Sequence, residues 1–544
     1  MTSKDPALLD EIARYNEDDV AATMALRDWI VERRPDGLAW RDASLELYED
    51  PLNTDELVER LKNFGEHSPE HLLGDLLNYW RRERRANTEP KFAEAASDFS
   101  TLYDDPDFIT NLKFEGFENV ISRGAPAIDA LYTWPDQPVS EVFGEKRRVL
   151  FTGVGIERGF GYLPAIDFAK RELRMRWYDR YDESGGFASV MTFDDYVSPE
   201  PKPGVLMHLA EQVLGDAADS PSRVSMALLA RERPRFIDGA GPPRGLFTDD
   251  LKSTLEWVGQ LDESYVAVQG PPGSGKTYSG SHIIHALIKS GKRVGIAAMS
   301  HAAIDNLFAA THQVFADKGE LSELHALRKG DKPKSGPLQG VRYTQSAKEA
   351  ESTKYNVVAG TTWLWARQQL HAFPVDVLVI DEAGQLALAD AIASANAAKN
   401  LILLGDPLQL SQVAQAEHPD GSGASVLEHV LGAHATLPDD QGIFISITRR
   451  MHPDVCRFIS NQIYEGRLSS HESCAQQNTK FGTGLRWLPA HHVGRSTESP
   501  EEAAIVIAQV REMIGTGWVN QRGQRAPLRA EDFMVCLLYT SRCV

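Results

Sequence analysis

Cysteine is scarce in this 544-residue chain: the four present, Cys456, Cys474, Cys536 and Cys543, stand at no metal-ligand spacing, and no C-x-x-C pair occurs. A disulfide framework, a zinc ribbon or an iron–sulfur cluster is therefore not expected. Long apolar runs are also missing. No stretch approaches the roughly 18 apolar residues that a membrane span requires. The opening MTSKDPALLDEIARYNEDD is acidic and has no apolar core segment, so it is not a secretory signal, and a cytoplasmic protein is expected. There is no excess of basic charge. A net charge of -20 argues against a protein that coats nucleic acid non-specifically, while leaving room for a local basic groove. No internal repeat or low-complexity tract is found. What remains is a 42% hydrophobic chain, long enough for three to four domains at roughly 150 residues each.

The texture changes along the chain. Residues 1–34 read as a helix and 35–139 as a helical, highly charged connecting region. In the latter, Leu72, Leu73, Leu76, Leu77 and Trp80 form one helix stripe. The run Arg81-Arg82-Glu83-Arg84-Arg85 reads as the solvated end of that helix, with phosphate contact as the alternative. From 140 to 204 the period shortens. Leu173, Met175 and Trp177 alternate with Arg174, Arg176 and Tyr178, the pattern of a half-buried strand in a small β domain. Pro-rich SPEPKPG (198–204) and AGPPRG (240–245) bracket a helical linker over 205–261. Beyond 262, short apolar runs (Tyr265–Val268, Val294–Ala298, Val375–Ile380, Leu401–Leu404) alternate with helical stretches, which predicts an α/β domain with a parallel sheet over 262–440.

Within that domain Gly270-Pro271-Pro272-Gly273-Ser274-Gly275-Lys276-Thr277 fits G-x-x-x-x-G-K-[ST], followed by Tyr278. Glycines allow successive backbone N–H groups to turn inward around a polyanion, Lys276 reaches the outer phosphates and Thr277 ligates Mg²⁺. A chance glycine-rich turn would not need the apolar strand before it or the helix after it, with Ile283, Ile284, Leu287 and Ile288 on one face. ATP and Mg²⁺ are the expected ligands. Downstream, Asp381-Glu382 closes an apolar run of the kind buried on both faces, at the carboxyl end where open sheets bind ligands. Asp381 would hold Mg²⁺ through water and Glu382 would orient or deprotonate the attacking water. Two acids opening a helix would look the same in isolation.

The series GPPGSGKT (270–277), SHAAIDNL (300–307), GTT (360–362), DEAGQ (381–385), GDPLQL (405–410) and RRMHP (449–453) runs in order and resembles superfamily 1 helicases of the nonsense-mediated-decay type. The resemblance implies a RecA-like P-loop NTPase sheet, preceded by a small β-barrel and a helical N-terminal region, with a second RecA-like domain over 441–535. By that similarity Ser300, His301, Thr361 and Thr362 line a nucleic-acid groove, Gln385 and Gln409 sense the γ-phosphate, and Arg450 is an arginine finger. The plainer alternatives are a strand-end turn for Thr361 and Thr362, core packing for Trp363 and Trp365, and a solvated pair for Arg449 and Arg450. The sequence departs from the family in having Thr448-Arg449 where Gln-Tyr is usual. Arg174 and Arg176, on the outer face of the β domain, are further candidates for the strand. The implied partner is nucleic acid, single-stranded DNA rather than RNA, with 5′→3′ travel and no membrane.

Tyr15 and Asp19 form the Y-x-x-x-D spacing and resemble the third motif of DEDD-type exonucleases, as in bacterial proteins that join a RecB-like nuclease to such a helicase. The earlier acidic motifs are missing, so 1–34 is expected to be a C-terminal remnant of an RNase H-like domain without nuclease activity. Past Val535 the family's last two motifs are absent, and Cys536–Val544 (CLLYTSRCV) resembles translated library-adapter sequence. The expectation is a second RecA-like domain left incomplete and a non-native tail over 536–544.

Overall fold

The computed structural model describes Trp29, Arg33 and residues 54–536, apart from 98, 123, 178–186, 334–335, 410–412 and 493–497. The Tyr15/Asp19 spacing and the end of the tail lie outside the described residues.

The largest element is an eight-stranded sheet in the order β11-β10-β12-β9-β13-β14-β8-β15, and every neighbouring pair in it is parallel. Its strands are β8 (Tyr265–Gln269), β9 (Val294–Ala297), β10 (Ala326–Lys329), β11 (Val341–Thr344), β12 (Val357–Ala359), β13 (Val375–Ile380), β14 (Ala398–Gly405) and β15 (Gly442–Phe444). Side chains of a strand alternate between faces, and both faces here are covered. Tyr265 and Ala267 of β8 enter one core while Val266 and Val268 enter the other. This two-sided burial is why the strands read as continuous apolar runs. No helix among the described residues is long and apolar enough to cross a membrane.

One of the two cores reaches well beyond the expected domain. Leu61, Leu73, Leu76 and Trp80 from the N-terminal helices, and Leu206, Leu209 and Leu228 from Lys202–Leu214 and Arg223–Leu229, pack with Leu388, Ile392 and Leu401 of the sheet layer. The connecting region and the linker are thus part of the core on one face of the eight-stranded sheet, contrary to the division at 139, 205 and 261. The predicted stripe of Leu72–Trp80 is also split. One helix runs Pro69–Leu77 and the next Tyr79–Ala95, with Asn78 between them. The arginine run on the second helix is engaged rather than solvated. Arg82 donates to the Asp75 carbonyl at 2.8 Å, and Glu83 accepts from the Gln415 and Ala416 amides, each at 3.1 Å, and from His418 Nε2 at 2.7 Å. Tyr79 stacks on the His418 ring at 4.4 Å.

The β domain begins earlier than 140. Strands β1 (Phe108–Ile109), β2 (Lys113–Ser122), β3 (Ala125–Thr133), β4 (Arg148–Val154), β5 (Ile156–Asp167), β6 (Glu172–Trp177) and β7 (Phe187–Phe193) form one antiparallel sheet, ordered β1-β7-β4-β5-β6-β3-β2. Its edge strand β2 curls back towards β7, where Phe114 stacks on Phe187 with centroids 4.0 Å apart. The Tyr132 hydroxyl accepts from the Ala188 amide across the interior. Residues 113–133, expected to be helical, are therefore strands. The alternation of Leu173 and Met175 inward with Arg174 outward is as predicted. Both outer arginines have carboxylate partners: Arg176 Nε donates to Asp129 at 2.6 Å, and Arg174 lies 2.9 Å from Glu118.

The domain boundary at 440 also shifts. β15 pairs with β8, and Ile443 and Ile445 sit in the first domain's core, so the chain leaves this sheet only after 445. Beyond it lie the helix Pro453–Ile463, a three-stranded antiparallel sheet of β18 (Asn478–Thr479), β19 (Gly517–Val519) and β20 (Arg525–Pro527), and the helix Pro500–Met513, which has no buried residue.

Candidate active site

The loop 270–275 leaves the carboxyl end of β8 and turns into the helix Lys276–Lys289. Gly275, the residue ahead of that helix, has φ +92°, a region costly for any residue with a Cβ. Helix start and loop amides together form an anion cradle. Two polar groups line it. The Ser274 hydroxyl is buried without a partner among the described residues. Lys276 Nζ folds back to donate to the Gly270 carbonyl at 2.6 Å. Burial pushes the Lys276 ammonium below its ordinary pKa, opposed by Glu382, Asp406 and Asp381 and reinforced by Arg450. These charges therefore lie close to Lys276. An orphaned hydroxyl, a cradle and a lysine facing carboxylates fit a nucleoside triphosphate with its divalent cation.

Asp381 and Glu382 follow β13, which is separated from β8 only by β14. Burial pushes the Asp381 carboxyl up to about 6, with Glu382 adding to the rise while the Glu382 amide, donating at 2.9 Å, and Lys276 oppose it. Glu382 has φ +52°, a conformation that an L residue holds only when its surroundings impose it. The next strand, β14, delivers a third acid. Asp406 accepts from Gln409 Nε2 at 2.9 Å, from the Leu408 amide at 3.3 Å and from the Tyr464 hydroxyl at 2.7 Å. Burial, then Asp406, hold the Tyr464 phenol above its ordinary pKa. Gln385 and Gln409, on the loops after β13 and β14, are both exposed.

The segment after β15 lies directly on the phosphate loop. Thr448 Oγ1 donates to the Pro272 carbonyl at 2.7 Å, and the Arg449 amide donates to the Gly273 carbonyl at 2.8 Å. A Cβ on Gly273 would come within 2.2 Å of Arg450 Cβ, so only glycine permits this approach. Arg450 is exposed, with its Cβ against the loop. It is therefore not an isolated surface arginine. The departure from the family pattern is informative as well, since Thr448 is the residue that grips the loop.

The expected nucleic-acid residues separate. Ser300 and His301 are exposed at the start of the helix His301–Asp317, although the Ser300 hydroxyl also caps it by accepting from Ala303 at 3.1 Å. Thr361 is half-buried, but Thr362 is fully buried and cannot face a groove. That call is corrected: Thr362 begins the short helix Thr362–Trp365, which turns it into the core. Trp365 is core, donating to the Ile296 and Gly360 carbonyls, each at 3.2 Å. Trp363 is half-buried and covers Lys202, whose Nζ lies 3.2 Å from the ring centroid and 2.6 Å from Asp390. Sequence reasoning gave no role to Asp406, Thr448 or Tyr464. Only Asp406 carried a signal, an acid directly after a buried strand, as Asp381 is.

Residues 253–421 match the AAA domain family. The chain is 28% identical over 255 residues to Regulator of nonsense transcripts 1 of Dictyostelium discoideum, covering 39% of this chain and 19% of that protein. It is 27% identical over 260 residues to ATP-dependent helicase NAM7 of Saccharomyces cerevisiae, covering 41% and 26%. To the DNA replication ATP-dependent helicase/nuclease JHS1 of Arabidopsis thaliana it is 26% identical over 216 residues, covering 37% and 16%. The chain spans about a quarter or less of the length of these relatives. Among solved structures, arterivirus nonstructural protein 10, a helicase, covers 66% of this chain and 59% of its own at 13% identity, with a TM-score of 0.29.

Proposed function

We propose that this chain carries the ATP-hydrolysing motor of a nucleic-acid helicase or translocase that works on single-stranded DNA in the 5′→3′ direction. The observation that carries the reading is the seating of residues 448–450 on the phosphate loop, opposite Asp381 and Glu382. A site that only bound nucleotide would not need an arginine delivered across its mouth.

In this reading Lys276 gives up its contact with Gly270 to hold the outer phosphates, alongside the amides of 273–275 and the Ser274 hydroxyl. Thr277 and Asp381 would hold Mg²⁺, which when bound neutralises charge on the phosphates. Glu382, fixed in its strained conformation, orients or deprotonates the attacking water. Arg450 stabilises the charge that builds on the transferred phosphoryl group. Gln385 and Gln409 stand at the same mouth, and through Asp406 the state of Gln409 is tied to Tyr464 in the following segment. Ser300, His301 and Thr361 would contact the strand, so that phosphate state and grip change together.

The test is ATP hydrolysis with and without a single-stranded oligonucleotide, on the wild type and on Lys276→Ala and Arg450→Ala. Stimulation by the strand is expected, with loss in both variants, on the order of a thousandfold for the arginine. Hydrolysis that ignores nucleic acid would sink the reading. Strand displacement on 5′- and 3′-tailed duplexes of DNA and RNA then assigns polarity and substrate. A nucleotide-gated clamp would show stimulation without movement.

A further inference from the structure

His301 is held from behind by a buried cation. Arg328, on β10 and 1% exposed, spends all three of its guanidinium nitrogens. Nε donates to Asp305 Oδ1 at 2.6 Å, Nη1 donates to the Lys329 carbonyl, and Nη2 donates to His301 Nδ1 at 2.9 Å. Asp305 lies one helical turn after His301, so the arginine ties two residues of the same helix face to the neighbouring strand. The space is tailored. Gly330 has φ +144°, and a Cβ there would lie 3.0 Å from Arg328 Nη1 and 3.3 Å from both Nδ1 and Cε1 of His301.

A guanidinium has donors only, so the ring nitrogen facing it must present its lone pair. The single ring hydrogen then sits on Nε2, the nitrogen turned away from Arg328. Nε2 has no hydrogen-bond partner among the described residues, and His301 is exposed. We propose that Arg328 is a positioning residue that locks His301 in the Nε2–H tautomer, making it a fixed donor to a phosphate oxygen of the bound strand. This rests on the reading of the groove given above. It goes further in naming the atom that contacts the strand and the residue that sets it. A lone exposed histidine would exchange its proton between the two nitrogens and offer a donor only part of the time. A donor aimed at phosphate also holds a strand without reading its sequence, as a motor must.

The test uses the full chain labelled with ¹⁵N in its histidine rings. Two-bond ¹H–¹⁵N spectra distinguish the tautomers, and the His301 signals are those lost in His301→Phe. The expected pattern is a protonated Nε2 with an unprotonated, hydrogen-bonded Nδ1; a proton on Nδ1, or an averaged ring, overturns the proposal. In parallel, fluorescence anisotropy follows binding of a labelled oligo-dT strand. His301→Phe should weaken it roughly tenfold, the value of one hydrogen bond. His301→Asn, which keeps a donor, should stay within about twofold of wild type, since no such bond is lost. Wild-type affinity in His301→Phe overturns the role of His301 alone, whereas a wild-type chain that fails to bind the strand overturns the nucleic-acid reading beneath it.

Discussion

Replacing Lys202 by methionine tests how the linker is bound to the eight-stranded sheet domain. Lys202 Nζ lies 2.6 Å from Asp390 Oδ1, with the two side chains 1% and 7% exposed, and over the Trp363 ring at 3.2 Å. Methionine keeps most of the apolar stem but removes the cation, leaving the Asp390 carboxylate buried without a counter-charge. Breaking a buried pair from one side costs about 3–5 kcal/mol, and loss of the cation–π contact adds up to about 2. At about 2–4 °C per kcal/mol for a unit of 150–250 residues, the melting temperature should fall by roughly 10 °C. Removing both charges, Lys202→Met with Asp390→Leu, abolishes the stranded charge and should recover most of that loss, because a buried pair contributes little net stability over an apolar replacement. Thermal melts of the wild type, both single variants and the double variant decide it. A Lys202→Met protein that melts with the wild type, or a double variant as unstable as the single ones, refutes the reasoning.

Other outcomes follow from the site. Gly273→Ala places a Cβ where Arg450 Cβ now lies 2.2 Å away and adds about 1–2 kcal/mol of left-handed strain; strand-stimulated kcat should drop about tenfold, since each 1.36 kcal/mol is a factor of ten. Steady-state hydrolysis measures this, and an undiminished kcat would show that the 448–450 segment need not sit on the loop. Tyr464→Phe removes a buried hydrogen bond to Asp406, worth about 1.5–3 kcal/mol with a charged acceptor. It should lower kcat more than it raises KM for ATP, and an unchanged kcat would separate Tyr464 from the sensor loop. His429, whose Nε2 donates to the Leu228 carbonyl, has its pKa lowered to about 4 by burial. The neutral ring is the one the fold accepts, so its contribution is complete above the unfolded pKa of about 6.5 and is lost as pH falls from there to about 4, by about 3 kcal/mol. Urea midpoints at about pH 7 and pH 5 should show the decline, and His429→Gln should flatten it.

What could be read beforehand was whatever local physics dictated. The parallel strands announced themselves because both faces are buried, and the phosphate loop because its glycines, lysine and flanks are set by a short stretch of chain. Strand β2 was misread for an equally physical reason. A register shift between Phe114 and Gly116 spaces Phe114 and Phe117 three apart, which breaks the period of two and imitates a helix. Thr362 was placed in the groove because the family motif does not reveal the short helix that turns it inward. Asp406, Tyr464 and Thr448 gain their roles from partners far along the chain, a distance no periodicity encodes. The same holds for Glu83, whose arginine neighbours suggested a solvated helix end while the glutamate was reaching more than three hundred positions ahead.

The position of β15 limits how the two sides of the pocket can move. The strand lies beside β8, whose end begins the phosphate loop, and Arg450 is only the sixth residue after Phe444. Six residues reach at most about 20 Å when fully stretched. Arg450 is therefore on a short leash anchored to the floor of its own cleft. Any movement of Arg450 is a pivot around 445–447 and not a swing from a distant mount, so a larger displacement has to be gained by leverage further out along the chain.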